Sequence, residues 1–109
     1  MKDQVFTGGI RTGAFNATWP FGRMNLTDEE LIIRTLGAVT RRSTWQAVAR
    51  AERVVGGLLR SPGVRLTWVE GDQLVFWSFK PDAVLNALKA RGVEIVDSAG
   101  KPPKVWLGT

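Results

Sequence analysis

The sequence predicts a mainly β domain that ends in one helix, and three observations carry that expectation. Turn signals punctuate the chain at Gly8-Gly9, Gly13, Pro20-Phe21-Gly22, Thr27 to Glu30, Gly37, Gly56-Gly57, Ser61-Pro62-Gly63, Gly71-Asp72 and Gly92. A spacing of about 8 to 12 residues marks an antiparallel sandwich or barrel. Between the turns apolar residues alternate with polar ones, as in half-buried strands. Near the C-terminal end the pattern changes to helical spacing at Pro81, Val84, Leu85 and Leu88.

The first clear hairpin is RMNLTDEELIIRT, residues 23–35. Met24 and Leu26 alternate with polar neighbours, an acidic turn follows, and Leu31 and Ile33 return on the same face. A second hairpin spans residues 64–79. Val64, Leu66 and Trp68 alternate with Arg65, Thr67 and Val69, then Glu70 to Gln73 turn the chain, and Leu74 to Phe79 return almost wholly apolar. That return strand is expected to be buried on both faces, one towards the interior and one under the helix, with Val75, Trp77 and Phe79 inside.

The helix itself, at about residues 81–91, has Pro81 at its first position and Asp82 at the end where the helix dipole favours negative charge. Lys89 and Arg91 lie in its last turn, and Gly92 stands where a left-handed cap ends it. The segment STWQAVARAERVV, residues 43–55, is ambiguous from its residues alone. Ser43 and Gln46 form a capping box for an amphipathic helix, yet the same segment leads through glycines towards the next strand, as in a β-meander.

Composition limits the chemistry. The 109 residues are 44% apolar and 23% charged, in the range of one compact domain, 1–109, with 93–109 as a C-terminal tail. With neither cysteine nor histidine, disulfides, thiolate sites and nucleophile–histidine chemistry are excluded, and no metal or cofactor is implied. The carboxylates Asp28, Glu29, Glu30, Glu70 and Asp72 fall in turns, and Glu52 sits between Arg50 and Arg53 as a surface ion pair. The glycine clusters lack phosphate-loop spacing. The chain is therefore read as having no enzymatic activity. It has no apolar leader or spanning segment, which points to the cytoplasm, and the acceptor patterns at Asn16 and Asn25 are then chance matches.

The net charge is +5, and seven arginines between Arg34 and Arg65 face a single acid, Glu52. Such a balance makes an anionic partner conceivable, whether membrane surface, nucleic acid or acidic protein face, but solvated surface charge is the favoured reading. Nucleic acid ranks lower, since the chain carries no recognised nucleic-acid-binding signature and its tryptophans fall at apolar strand positions.

GRMNLTDEELIIRT, STWQAVARAERV and GVRLTWVEGDQLVFWSFKPDAVLNALKARG, taken in that order, resemble the PH-like superfold, and within it the bacterial PH-like and GRAM-like domains. The likeness spans roughly residues 5 to 95 and is one of pattern and order. It implies a strongly bent antiparallel barrel of about seven strands capped by the helix, with a short turn at residues 43–46 and a strand near Val48 to Val55. Many relatives bind phosphoinositides through dense basic residues in the first strands. Here that region offers only Arg11 and Arg23.

The resulting expectation is a non-catalytic module that binds a protein or peptide segment or a second copy of itself, with an anionic membrane surface as the alternative. Its contact surface is drawn from the aromatics the core pattern does not claim, Trp19, Phe21 and Trp106, and from Arg11, Arg23, Arg41 and Arg42. The tail, with its VWL at residues 105–107, either folds along its own domain or docks on a neighbouring copy.

Overall fold

The computed structural model describes residues 2–13, 16–56 and 61–96, together with the backbone of residues 104–106. Among these the chain is mainly β. The strands are β1 (Gln4–Arg11), β2 (Asn16–Leu26), β3 (Glu30–Thr35), β4 (Ala38–Thr44), β5 (Val48–Gly56), β6 (Ser61–Trp68), β7 (Gln73–Trp77), β8 (Glu94–Val96) and β9 (Lys104–Trp106). Helix α1 (Pro81–Ala90) lies between β7 and β8.

The strands form one sheet in the order β4-β3-β2-β1-β7-β6-β5-β8, with β9 also on β5. Strands β1 to β7 pair antiparallel, while β8 and β9 run parallel to β5. The sheet is not a closed barrel, which corrects the expectation from sequence. Closure would require edge strand β4 to pair with the opposite edge, where β8 and β9 flank β5, and no such pairing forms among the described residues. The chain instead passes from β4 to β5 through a 3₁₀ turn at Trp45–Ala47. The sheet still curls, because residues of both halves share one buried cluster. Ile10, Met24, Leu26, Leu31 and Ile33 from the first half meet Val64, Leu66, Leu74 and Phe76 from the second.

The first hairpin pairs Met24 with Ile33 and Leu26 with Leu31, all buried, as the alternation requires. Thr27 shapes its tip: the hydroxyl accepts the amides of Glu29 and Glu30 at 3.3 and 3.0 Å. Residues 43–56 hold no α-helix: Ser43 and Thr44 end β4, Trp45–Ala47 make the short turn, and Val48–Gly56 form the strand. Arg50 to Gly56 pair with Thr67 to Ser61, so sheet pairing outweighs the local capping box.

Two core expectations fail in β7. Its register opposes Leu74 to Leu66 and Phe76 to Val64, which points Leu74 and Phe76 inward and places Val75 and Trp77 on the outer face. Trp77, expected inside, is a half-buried outer-face residue. Phe79, also expected inside, follows the end of the strand and is 75% exposed. A shift of one residue in phase moves every side chain of a strand to the other face. The helix likewise covers the side of β7 that carries Phe76, since Val84, Ala87 and Leu88 join the same cluster, and it packs on β5, β6 and β8. Pro81 opens it, and Gly92, at φ +90°, terminates it in the left-handed region. No helix among the described residues is long and apolar enough to cross a membrane.

Candidate functional site

The exposed aromatics gather where β2 leaves the regular ladder. In the β1–β2 pairing Gly8 opposes Gly22 and Ile10 opposes Ala17, so Thr18 to Phe21 stand opposite Gly9 alone. Surplus residues in a ladder bow outward, and these four are all exposed, Trp19 by 53% and Phe21 by 50%. The Trp19 ring meets Phe79 edge to face, with centroids 5.8 Å apart and planes at 65°. Leu36, 75% exposed in the β3–β4 turn, donates its amide to the Phe21 carbonyl at 2.9 Å. Trp19, Phe21, Leu36 and Phe79 thus form an apolar surface along one rim of the sheet.

Trp77 supports this rim from beneath. Its indole lies in a trough cut by glycines: a Cβ at Gly63 would come within 2.6 Å of its ring, and one at Gly56 would overlap it. At Gly9 an added Cβ would lie 3.3 Å from Trp77 Cδ1 and 3.1 Å from the Trp19 amide nitrogen. The absence of side chains here lets the largest residue lie flat on the sheet beside the Trp19 backbone.

The arginines expected at the contact surface divide sharply. Arg41 stacks over the Trp68 ring, 4.0 Å from its centroid, and donates to Asp72 at 2.6 Å, with Glu70 3.8 Å away. It lines an open hollow of about 420 Å³ with Thr12, Thr40, Trp68 and Gln73, but its charge is already matched. Arg42 is bound to Glu30 at 3.2 Å. Arg11 is half-buried on the outer face opposite Val75, and its buried Nε has no hydrogen-bond partner among the described residues. Arg23 is exposed and lies two residues beyond Phe21 on β2. The backbone of Trp106 pairs with that of Gly56, and its side chain lies outside the described residues.

Three members of the surface were not anticipated. Phe79 was assigned to the core, Leu36 carried no periodic signal, and Arg34 was one arginine among many. Register reveals its position: Arg34 stands directly opposite Arg23 on the outward face of β2 and β3. Arg34 Nη1 donates to the Gly37 carbonyl at 3.3 Å, which ties its guanidinium to the turn that carries Leu36.

No family model and no curated protein matches the chain.

Glu52 corrects a further expectation. It is not a surface acid between Arg50 and Arg53 but a buried one, 6% exposed, which accepts Arg65 Nε at 2.8 Å across the β5–β6 pair. Arg53 turns to Asp82 on α1 instead. Among the described residues no group of three or more acidic side chains is placed to hold a metal ion.

Proposed function

We propose that the protein is a non-catalytic interaction module of PH-like, GRAM-like type that binds a protein or peptide segment on the Trp19, Phe21, Leu36 and Phe79 surface. The observation that carries this reading is the edge-to-face pair of Trp19 and Phe79, in which both rings remain largely open to water. Large aromatics clustered at a surface are the usual anchors of protein contacts, because they bury much area at little cost in side-chain entropy. The strand order and the helix after β7 support the PH-like assignment. The lack of histidine and cysteine, and the pairing of Glu30, Glu70, Asp72 and Asp82 with arginines, support the absence of catalysis.

Selection from a random displayed-peptide library, run in parallel on the protein and on a Trp19→Ser/Phe79→Ser variant, tests the reading. A sequence class enriched on the protein and lost on the folded variant is the expected result. Salt-sensitive pelleting with phosphatidylserine vesicles, abolished by Arg23→Ala/Arg34→Ala and indifferent to Trp19→Ser, would replace it with membrane binding. Charge-driven adsorption fades as the Debye length shrinks, whereas an aromatic contact persists.

A further inference from the structure

We infer that the bound segment carries a carboxylate two residues from its apolar anchor, and that Arg23 and Arg34 together receive it. This rests on the binding surface proposed above and specifies its partner. The two arginines are direct cross-strand neighbours. Like charges in that position repel, and a fold with no use for them would place an acid at one of the two. Glu30 is the only carboxylate in β1 to β4, and it is held by Arg42. Arg23 makes no hydrogen bond or ion pair to any described residue, and Arg34 spends one donor on Gly37. Both arginines therefore stand on the outward face of paired strands with donors to spare, the chemistry that receives a carboxylate.

The spacing fixes where that carboxylate sits. Phe21 and Leu36 are joined through their backbones at one end of the β2–β3 hairpin, and the Arg23–Arg34 pair comes next on the same two strands. Two residues of strand span about 7 Å, the separation of alternate side chains in any extended chain. An extended segment with an apolar residue at one position and an acid two further on matches both rows at once.

A discrete acid fits better than an extended polyanion. Membrane recognition by charge draws on clusters of about four to eight basic residues, and duplex binding on a comparable number of phosphate contacts. Across β2 to β4 Arg42 is already neutralised on this face, which leaves Arg23 and Arg34 as the two cations of the β2–β3 pair, the complement of one carboxylate.

Two short blocked peptides, identical except that one contains Phe-Ser-Glu and the other Phe-Ser-Gln, test the inference on isotope-labelled protein by nuclear magnetic resonance. The expected result is perturbation of the Trp19 indole by both peptides, with the glutamate peptide alone shifting the Arg23 and Arg34 side chains and binding about tenfold tighter. Arg23→Gln/Arg34→Gln should make the two affinities equal without weakening the glutamine peptide. Equal affinity of both peptides for the unaltered protein would overturn the carboxylate assignment and leave the aromatic surface standing. If neither peptide perturbs Trp19, both the partner and the surface are wrong. Vesicles or a single-stranded oligonucleotide that shift the arginines in the peptides' place would then reassign the face.

Discussion

Arg41 and Trp68 are stacked, the guanidinium 4.0 Å from the ring centroid, and this pair joins edge strand β4 to the β6–β7 turn that the sheet order leaves unpaired with it. Trp68 completes the junction by donating its indole N–H to Ser43 Oγ at 2.9 Å. Arg41→Ala removes the stacking cation and the Asp72 partner together, and should cost about 1 to 3 kcal/mol in urea unfolding. Arg41→Lys should retain part of that, since an ammonium keeps the charge but not the flat donor array. Peptide binding at the far rim should be unchanged by either.

The Trp77 trough gives a sharper steric test. Gly56→Ala places a methyl group inside the indole and should cost about 1 to 3 kcal/mol. In a Trp77→Leu background the same substitution should cost markedly less, and a thermal-denaturation double-mutant cycle measures the difference. Equal costs in both backgrounds would mean that the ring does not occupy the trough.

Leu88 and Phe79 separate core from surface. Leu88 is fully buried, so Leu88→Ala should cost about 2 to 5 kcal/mol. Phe79→Ala should change stability by less than about 1 kcal/mol while weakening any ligand held by the Trp19 rim.

The Glu52–Arg65 pair should respond asymmetrically. Glu52→Gln removes the charge that the partly buried Arg65 guanidinium is held against and should cost about 1 to 3 kcal/mol. The double change Glu52→Leu/Arg65→Met, measured by the same unfolding curve, should recover most of the loss, because desolvating both charges offsets much of what their attraction contributes.

Arg23→Glu converts a repulsive cross-strand pair into an attractive one. It should raise the unfolding free energy by a few tenths to about 1 kcal/mol, with the gain shrinking as salt is added. The same change should abolish the preference for an acidic peptide.

Much of the fold was legible because its hairpins obey simple alternation. Met24, Leu26, Leu31 and Ile33 lie on one face, and Val64 and Leu66 continue the pattern across the sheet. The return strand was misread for a physical reason: with Leu74, Val75, Phe76 and Trp77 all apolar, periodicity leaves the phase of the strand undetermined. The glycines of β1, β5 and β6 hold the missing information, since a bare outer face is what a displaced tryptophan needs. In sequence they read only as turn signals. The site was legible only in its exposed members. Trp19 and Phe21 stood outside every apolar pattern, whereas the meeting of Arg23 with Arg34 depends on a pairing register that no local signal encodes. Arg41 and Arg42 drew notice by their charge, but their acids, Asp72 and Glu30, lie far off in sequence and nearby only after folding.

Arg91, just past the last turn of α1, donates to the Thr27 and Leu26 carbonyls at 3.2 Å each, and to Gln4 Oε1 and the Lys2 carbonyl at 2.8 Å. Its guanidinium also lies 5.8 Å from the centroid of Trp45, whose indole N–H shares the Thr27 carbonyl. One side chain therefore bridges both ends of the described fold and its first hairpin, over sequence separations of 64 to 89 residues. The helix cannot lift away without releasing the start of β1 as well. Amide protons at those two distant places should accordingly exchange at a common rate, as parts of a single unit of opening.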